Sequence, residues 1–150
     1  MDFARLLPPK NTIVGLEAKT QLEVFSAAAD LFETNMGLSR KIVLAGLLDR
    51  EKLGSTALGH GIAIPHARIK RLTDATGALI KLEHAISFSS PDSVPVELLF
   101  VLLVPAEASE LHLQILSELA QCFNNRQTRQ KLLQARDAPT LYEQFLTVQQ

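Results

Sequence analysis

The chain has 150 residues, 47% hydrophobic and 21% charged, which is the length and composition of one folded domain with a sizeable core. A formal net charge of -1 argues against nucleic-acid or anionic-membrane binding, which would need a basic surface. The single cysteine, Cys122, excludes a disulfide framework and a multi-cysteine metal cluster. We expect a single domain over 1–150 with no metal and no cofactor, whose chemistry rests on its four histidines.

Hydropathy predicts no insertion into a membrane. The longest uninterrupted apolar run, 98–104, is far shorter than the about 20 residues that a membrane-spanning helix needs. Residues 1–10 have no apolar stretch of signal-peptide length. We therefore expect a cytoplasmic protein.

The first third of the chain is predicted to form one strand and two helices. The β-branched segment 11–15 is typical of an edge strand. Thr20 and Glu23 have the spacing of a capping box at a helix start, Gly37 can end that helix, and Ser39 can cap the next one. The residues predicted to face the core are Leu22, Phe25, Ala29 and Phe32 in the first helix and Ile42, Val43, Leu47 and Leu48 in the second.

The rest of the chain is predicted to be strands followed by helices. Residues 54–66 are rich in glycine and hydroxyl side chains and become briefly strand-like before Pro65. The further elements are strands at 77–82 and 96–104 and helices from Ser109, at 126–134 and at 140–148, with Leu113, Leu116, Ala120 and Phe123 as the core-facing stripe of the first of these helices. The continuous apolar run of the second strand indicates burial on both faces. The order β-α-α-β-β-β-α-α-α predicts an α/β fold, with helices on both faces of a sheet.

Three common kinds of site are disfavoured by their motifs. Gly59-His60-Gly61 lacks the third glycine of a dinucleotide loop, and no Gly-x-x-x-x-Gly-Lys-Ser/Thr sequence is present. Ser55 is not in a Gly-x-Ser-x-Gly turn, so a serine hydrolase is not indicated. His60 and His66 do not have a usual metal-ligand spacing, and His-Glu-x-x-His is absent.

A histidine that accepts a phosphoryl group asks less of the sequence. A neutral imidazole can attack phosphorus, and nearby donors can hold the negative charge of the phosphoryl group. His66 follows Pro65 and a glycine-rich approach, while His112 would be the third residue of a helix capped by Ser109, where an anion is favoured. Both histidines could equally be ordinary polar residues on these grounds alone. For His60 and His84 that ordinary interpretation dominates.

Two segments together resemble a known family. Residues 50–56, Arg-Glu-Lys-Leu-Gly-Ser-Thr, and 59–66, Gly-His-Gly-Ile-Ala-Ile-Pro-His, resemble the phosphorylation-site signature of mannitol/fructose-type enzyme IIA domains of the bacterial phosphoenolpyruvate-dependent phosphotransferase system. Val101–Pro105 with the segment around His112 resembles the family's second histidine region. The Leu-Leu-Pro-Pro sequence at 6–9 is most similar to the stand-alone nitrogen-regulatory members.

The resemblance implies a fold and a set of roles. The fold is a three-layer α/β/α sandwich with a mixed sheet. His66 would accept the phosphoryl group on Nε2 and His112 would assist it. Arg50 would steady the phosphate, as its bidentate guanidinium suits, and Ser55 and Thr56 would donate to it with weaker support. Ala67 departs from the family, in which many members have glycine there.

Three functions remain open from the sequence. The resemblance implies a phosphocarrier that receives phosphate from an HPr-type protein of the nitrogen branch (NPr) and regulates targets such as potassium transport or sensor-kinase components. The alternative is the IIA component of a fructose- or mannitol-type permease, which passes phosphate to a IIB domain. The third is an interaction module without phosphotransfer, against which the pairing of His66 with His112 argues.

Overall fold

A six-stranded mixed sheet lies between two layers of helices in the computed structural model, which describes residues 2–107 and 109–148. The strands are β1 (Thr12–Leu16), β2 (Ala57–Gly59), β3 (Ile62–Ala63), β4 (His66–Ile69), β5 (Thr76–Ile86) and β6 (Val96–Pro105). The helices are α1 (Phe3–Leu6), α2 (Gln21–Met36), α3 (Arg40–Glu51), α4 (Ser109–Asn124), α5 (Arg126–Gln134) and α6 (Ala138–Thr147), with a 3-10 turn at Pro9–Asn11.

Strand β6 lies at the centre of the sheet, and its side chains contribute to the cores on both faces. The strand order is β1-β5-β6-β3-β2, and β4 pairs with β6 beyond the end of β3. Alternate side chains of β6 point to opposite faces: Leu99, Val101 and Leu103 join the core under α2 and α3, and Leu98, Phe100, Leu102 and Val104 join the core under α1, α4, α5 and α6. The predicted three-layer sandwich, and the predicted burial of β6 on both faces, are confirmed.

The pairing makes the sheet mixed. β1 is an edge strand parallel to β5, β5 is antiparallel to β6, and β3 and β4 are both parallel to β6. β4 has no second strand partner in the described part of the chain, so it lies at an edge of the sheet. Side chains from either helical layer can therefore reach it.

The sequence missed the short elements. The glycine-rich segment contains a small hairpin, β2 and β3, and then β4, where one brief strand was predicted, and α1 was not predicted at all. These strands have 3, 2 and 4 residues, too few for an alternating pattern to be visible. The other elements occur in the predicted order.

Helix starts follow local hydrogen bonding. The capping box of Thr20 and Glu23 is present at the start of α2, and Gly37 ends that helix with φ of 70°. α6 begins earlier than predicted because the Asp137 side chain accepts from the backbone N–H of Thr140 and so caps the helix. α4 begins at Ser109, which makes His112 its fourth residue rather than its third. Capping by the Ser109 side chain lies outside the described residues.

One predicted core stripe is rotated. Leu113 is 67% exposed, while Ile115, Leu119 and Phe123 are buried. Residues 111–120 are apolar on several sides of α4, so spacing alone could not select the buried face. The true stripe includes His112, which is 9% exposed. Leu22 and Ile42, also predicted to face the core, lie exposed on α2 and α3.

Candidate active site

His66 is the first residue of β4 and is buried at the sheet edge. Pro65 has no N–H, and the carbonyl of Ile64 before it accepts a hydrogen bond from His66 Nδ1 over 2.8 Å. A carbonyl can only accept, so the proton of the neutral ring lies on Nδ1. Nε2 therefore carries a lone pair, as a nucleophilic ring nitrogen requires.

Arg50 approaches that lone pair from the last turn of α3. Its Nε donates to Nε2 of His66 over 3.1 Å, and its Nη1 donates to the carbonyl of Gly54 over 2.9 Å. An arginine side chain donates and does not accept, which independently supports the tautomer of His66. The guanidinium is thus held between the ring and the glycine-rich loop.

His112 reaches the same place from the opposite helical layer. Its ring lies 5.0 Å from that of His66, centroid to centroid, with 63° between the ring planes. Arg68, exposed on β4, donates from its Nε to Nδ1 of His112 over 3.3 Å. The His112 Nε2 is buried and has no hydrogen-bond partner in the described structure. The site therefore contains one unused polar nitrogen next to the nucleophile.

Burial and positive charge keep both rings neutral. Burial lowers the pKa of His66 below its ordinary 6.5, the Ile64 carbonyl opposes this, and the charges of Arg50 and Arg68 lower it further. The pKa of His112 is lowered by burial and then by the charges of His66, Arg68 and Arg50. At neutral pH the site therefore presents two neutral imidazoles and two guanidinium groups.

The hydroxyls of Ser55 and Thr56 lie in the loop after α3 and bond to protein. Ser55 Oγ donates to the carbonyl of Phe88 over 2.6 Å and accepts from the N–H of Ala57. Thr56 Oγ1 donates to the carboxylate of Glu51 over 2.7 Å, and its backbone N–H donates to the same group. These bonds hold the loop against the end of α3. The structure brings His66, Arg50 and His112 together, whereas these two hydroxyls are directed elsewhere.

Helix α3 and strand β4 approach each other closely at Gly46 and Ala67. A Cβ placed on Gly46 would lie 3.0 Å from Cβ of Ala67, so a methyl group at residue 46 would require the neighbouring atoms to shift by a few tenths of an ångström. Ala67 lies in the strand, and its methyl group packs into the core under α2 and α3. The Ala67 methyl group therefore fills space against α3 from an extended strand.

The remaining histidines and the cysteine lie apart from this constellation. His60 is exposed in the β2–β3 turn, where its backbone N–H donates to the Asp92 carboxylate, and His84 is exposed on β5. Burial raises the pKa of the Cys122 thiol to about 11, so it is not a thiolate at neutral pH. Within residues 2–107 and 109–148, no group of His, Cys, Asp and Glu side chains could hold a metal ion, and no helix is long and apolar enough to cross a membrane.

Arg68 is the site residue that the sequence analysis did not select. It lies two residues after His66, and residues two apart on a strand share a face. That alternation was the available signal. It could be used only once β4 was known to begin at His66, and the short strand had not been predicted.

The family is now settled by comparison with known proteins. The model of the family "Phosphoenolpyruvate-dependent sugar phosphotransferase system, EIIA 2" matches residues 5–147, and the chain belongs to that family. Domains of this family pass phosphate between phosphocarrier proteins.

Similar proteins include nitrogen regulatory proteins and a sugar-specific component. The chain is 34% identical to a nitrogen regulatory protein of Pseudomonas aeruginosa, over 97% of this chain and 95% of the relative. The crystal structure of the nitrogen regulatory protein IIA-Ntr from Neisseria meningitidis superposes with a TM-score of 0.89 at 36% identity and covers 99% of each chain. A fructose-specific EIIA component of Haloferax volcanii is 39% identical over 69% of this chain and 68% of its own length.

Proposed function

We propose that the chain is a cytoplasmic phosphohistidine carrier that accepts a phosphoryl group on Nε2 of His66 from an HPr-type phosphocarrier. The observation that carries the proposal is the hydrogen bonding of the ring. Nδ1–H is held by the carbonyl of Ile64, so the free lone pair is on Nε2, beside Arg50 and His112. Family membership supplies the reaction class.

The transfer needs no cofactor. The Nε2 lone pair of His66 attacks the phosphorus of the donor's phosphohistidine, an N–P bond forms, and the donor's N–P bond breaks with its electron pair returning to the donor ring. His66 keeps its Nδ1 proton, so its ring gains positive charge on phosphorylation. The Ile64 carbonyl stabilises that charge by accepting the Nδ1–H bond.

Arg50 changes partner in this reaction. In the unphosphorylated protein its Nε donates to Nε2 of His66, the atom to which the phosphoryl group would bond. The guanidinium must leave the ring nitrogen and can then donate to phosphoryl oxygens, while its Nη1 bond to Gly54 keeps it close. It thus stabilises the negative charge developing during transfer.

His112 supplies a second donor in the proposal. Its Nδ1 accepts from Arg68, so the proton of the neutral ring is on Nε2, which is the buried nitrogen without a partner. An unpaired buried N–H costs free energy, and a phosphoryl oxygen would satisfy it. Ser55 and Thr56 stay in the proposal as weaker phosphate donors, supported by their place in the loop that Arg50 contacts; they would first have to release Phe88 and Glu51.

We propose regulation as the output of the carrier. One phosphoryl group adds about -2 of charge to the site near neutral pH, which can make or break a protein interface there. The similarity to nitrogen regulatory proteins supports a regulatory output. As the phosphate donor we propose NPr, and as targets potassium-transport or sensor-kinase components, which the resemblance of the sequence implies. The alternative, transfer to a IIB domain of a sugar permease, is supported by the fructose-specific relative.

The experiment is a reconstituted relay. The parent and His66→Ala are incubated with phosphoenolpyruvate, enzyme I and either NPr or the sugar-type HPr. We expect an acid-labile, base-stable phosphate on the parent alone. Labelling of His66→Ala would refute the proposed acceptor, and no labelling of either protein would favour the interaction module. Rapid transfer of the phosphoryl group from His66 to a fructose-type IIB domain would favour the permease function over the regulatory one.

A further inference from the structure

The arginine on β4 makes a contact that the acceptor chemistry does not itself require. Arg68 donates from Nε to Nδ1 of His112 across 3.3 Å, from the strand that also carries His66. Its side chain is exposed, so the bond contributes little to the core. The bond between Arg68 and His112 therefore points to a role in the site rather than in the stability of the core.

The two histidines need opposite tautomers. His66 must have its proton on Nδ1, and it does so because Ile64 accepts there. His112 must have its proton on Nε2 if that nitrogen is to donate to a phosphoryl oxygen. A histidine ring can also turn over by a half-rotation, so the useful state of His112 is one of several that must be selected.

We propose that Arg68 is a positioning residue, which holds the His112 ring with its protonated Nε2 directed at the phosphoryl site on His66. This role of Arg68 rests on the proposed function, since it requires that His66 receives a phosphoryl group to which His112 donates. Arg68 can only donate, so its partner nitrogen must carry the lone pair and the proton must lie on the other nitrogen. The independent observation is that the buried Nε2 of His112 has no hydrogen-bond partner in the described structure, so it is free to donate to a phosphoryl oxygen.

Arg68 differs from Arg50 in what phosphorylation does to it. The Arg50 bond goes to the nitrogen of His66 that becomes phosphorylated, so it must break. The Arg68 bond goes to Nδ1 of His112, which takes no part in the new bond. Arg68 thus holds His112 both before and after transfer, and its effect is on orientation in both states.

The ring can be observed directly. Nitrogen-15 NMR of the histidine side chains reports which nitrogen is protonated and which accepts a hydrogen bond. In the parent at neutral pH, we expect His112 with a protonated Nε2 and a hydrogen-bonded acceptor at Nδ1. In Arg68→Met we expect the hydrogen-bond shift at Nδ1 of His112 to be lost, because the methionine side chain cannot donate to that nitrogen. Arg68→Lys keeps a donor and should restore much of the parent signal.

The rate of phosphoryl transfer gives the second measurement. Arg68→Met should slow single-turnover transfer by about three- to tenfold, the rate equivalent of one ordinary hydrogen bond, with little change in the donor concentration for half-saturation. Lys70→Met is the matched control, because Lys70 is exposed at the next position beyond the end of β4 and carries the same charge.

Three results would overturn the role of Arg68. They are a parent His112 protonated on Nδ1, an unchanged His112 ring in Arg68→Met, or equal slowing in Lys70→Met, which would indicate a general charge effect. Failure of the parent to accept a phosphoryl group would instead refute the proposed function. The ring measurement, which needs no phosphate donor, would still decide what Arg68 does.

Discussion

Arg50 donates from Nε to Nε2 of His66 over 3.1 Å, so the guanidinium lies at the position that a phosphoryl group on that nitrogen would take. The two residues come from different layers of the fold: Arg50 lies in the last turn of α3, and His66 begins the edge strand β4. The same cation therefore caps the nucleophile before the reaction and can bind the phosphoryl oxygens after it.

Replacing Arg50 should slow transfer without removing the acceptor. Arg50→Met loses the charged donor to the phosphoryl group, and we expect the transfer rate to fall about ten- to hundredfold, the range of a hydrogen bond to a charged group. Arg50→Lys should lose less, since it keeps the charge but not the planar fork. Stopped-flow or quench-flow transfer from the phosphorylated donor measures this.

The control for Arg50 is two residues away. Lys52 has a side chain 77% exposed and removes the same charge when changed to Met. We expect the rate of Lys52→Met to remain within about twofold of the parent, as for a solvent-screened charge. A rate in Arg50→Met equal to that in Lys52→Met would show that the contact with His66 has no part in transfer.

Two amide substitutions of His112 should separate its nitrogens. The amide group of Gln can place an N–H near the position of Nε2, whereas that of Asn falls near Nδ1. We expect His112→Asn to lose about ten- to hundredfold in rate, as for a lost donor to a charged group, and His112→Gln to lose clearly less. Equal losses, or none, would contradict the assignment of the donor to Nε2. Far-UV circular dichroism checks that both variants fold.

The contact between Gly46 and Ala67 should behave as a coupled pair. Gly46→Ala would normally favour a helix by about 1 kcal/mol, but here its Cβ meets that of Ala67, and we expect a net loss of about 1 to 2 kcal/mol in the free energy of unfolding. Displacement of α3 should also slow transfer, because Arg50 lies one turn further along the helix. Urea unfolding measures the first effect and the reconstituted relay the second.

Removing the methyl group at residue 67 tests the cause. In an Ala67→Gly background, Gly46→Ala has room, so it should become neutral or stabilising by up to about 1 kcal/mol. The double variant should also recover transfer lost in Gly46→Ala. Additive effects of the two substitutions would mean that the contact does not set the position of α3.

The lowered pKa values of His66 and His112 predict a pH dependence of stability. Burial is the first cause for each ring. Below the ordinary value of 6.5, the unfolded chain takes up protons that the folded chain resists, so the free energy of unfolding should fall as the pH falls through that value toward the folded pKa. Above 6.5 these two groups should contribute no further change.

Urea unfolding across about pH 5 to 8 checks this sign. His66→Gln combined with His112→Gln should flatten the dependence. A parent whose stability rises as the solution is acidified in that range would contradict the burial of neutral rings. The transfer rate should also fall on acidification, because a protonated Nε2 of His66 cannot attack phosphorus. Since the pKa of His66 is lowered, this fall should begin at a pH below the ordinary value of 6.5.

Much of the fold was predictable because local sequence patterns determine its main elements. The capping box at Thr20 predicts a helix start, and the apolar run of β6 predicts a buried strand; both are present, and the main elements occur in the predicted order. The predicted buried face of α4 was wrong, because this helix has apolar residues on several of its sides. Only tertiary packing determines that Leu113 is exposed and His112 is buried. Short strands such as β3 exist through pairing with β6, which no local pattern contains.

The sequence indicated three residues of the candidate site but not their contacts. His66, Arg50 and His112 were selected through their resemblance to a family, and the structure brings them together from β4, α3 and α4. The hydroxyls of Ser55 and Thr56 lie in the loop next to the site, but they donate hydrogen bonds to the carbonyl of Phe88 and the carboxylate of Glu51. Which hydrogen bonds a side chain makes depends on three-dimensional neighbours, so Arg68 became visible only with β4.

The most direct measurement is the identity of the bond formed on His66. The protein, labelled with nitrogen-15 in its histidines, is phosphorylated by the reconstituted relay and examined by phosphorus–nitrogen NMR. We predict a phosphorus coupling to Nε2 of His66, with Nδ1 still protonated and hydrogen-bonded to the Ile64 carbonyl. A coupling to Nδ1 of His66, or to either nitrogen of His112, would contradict it.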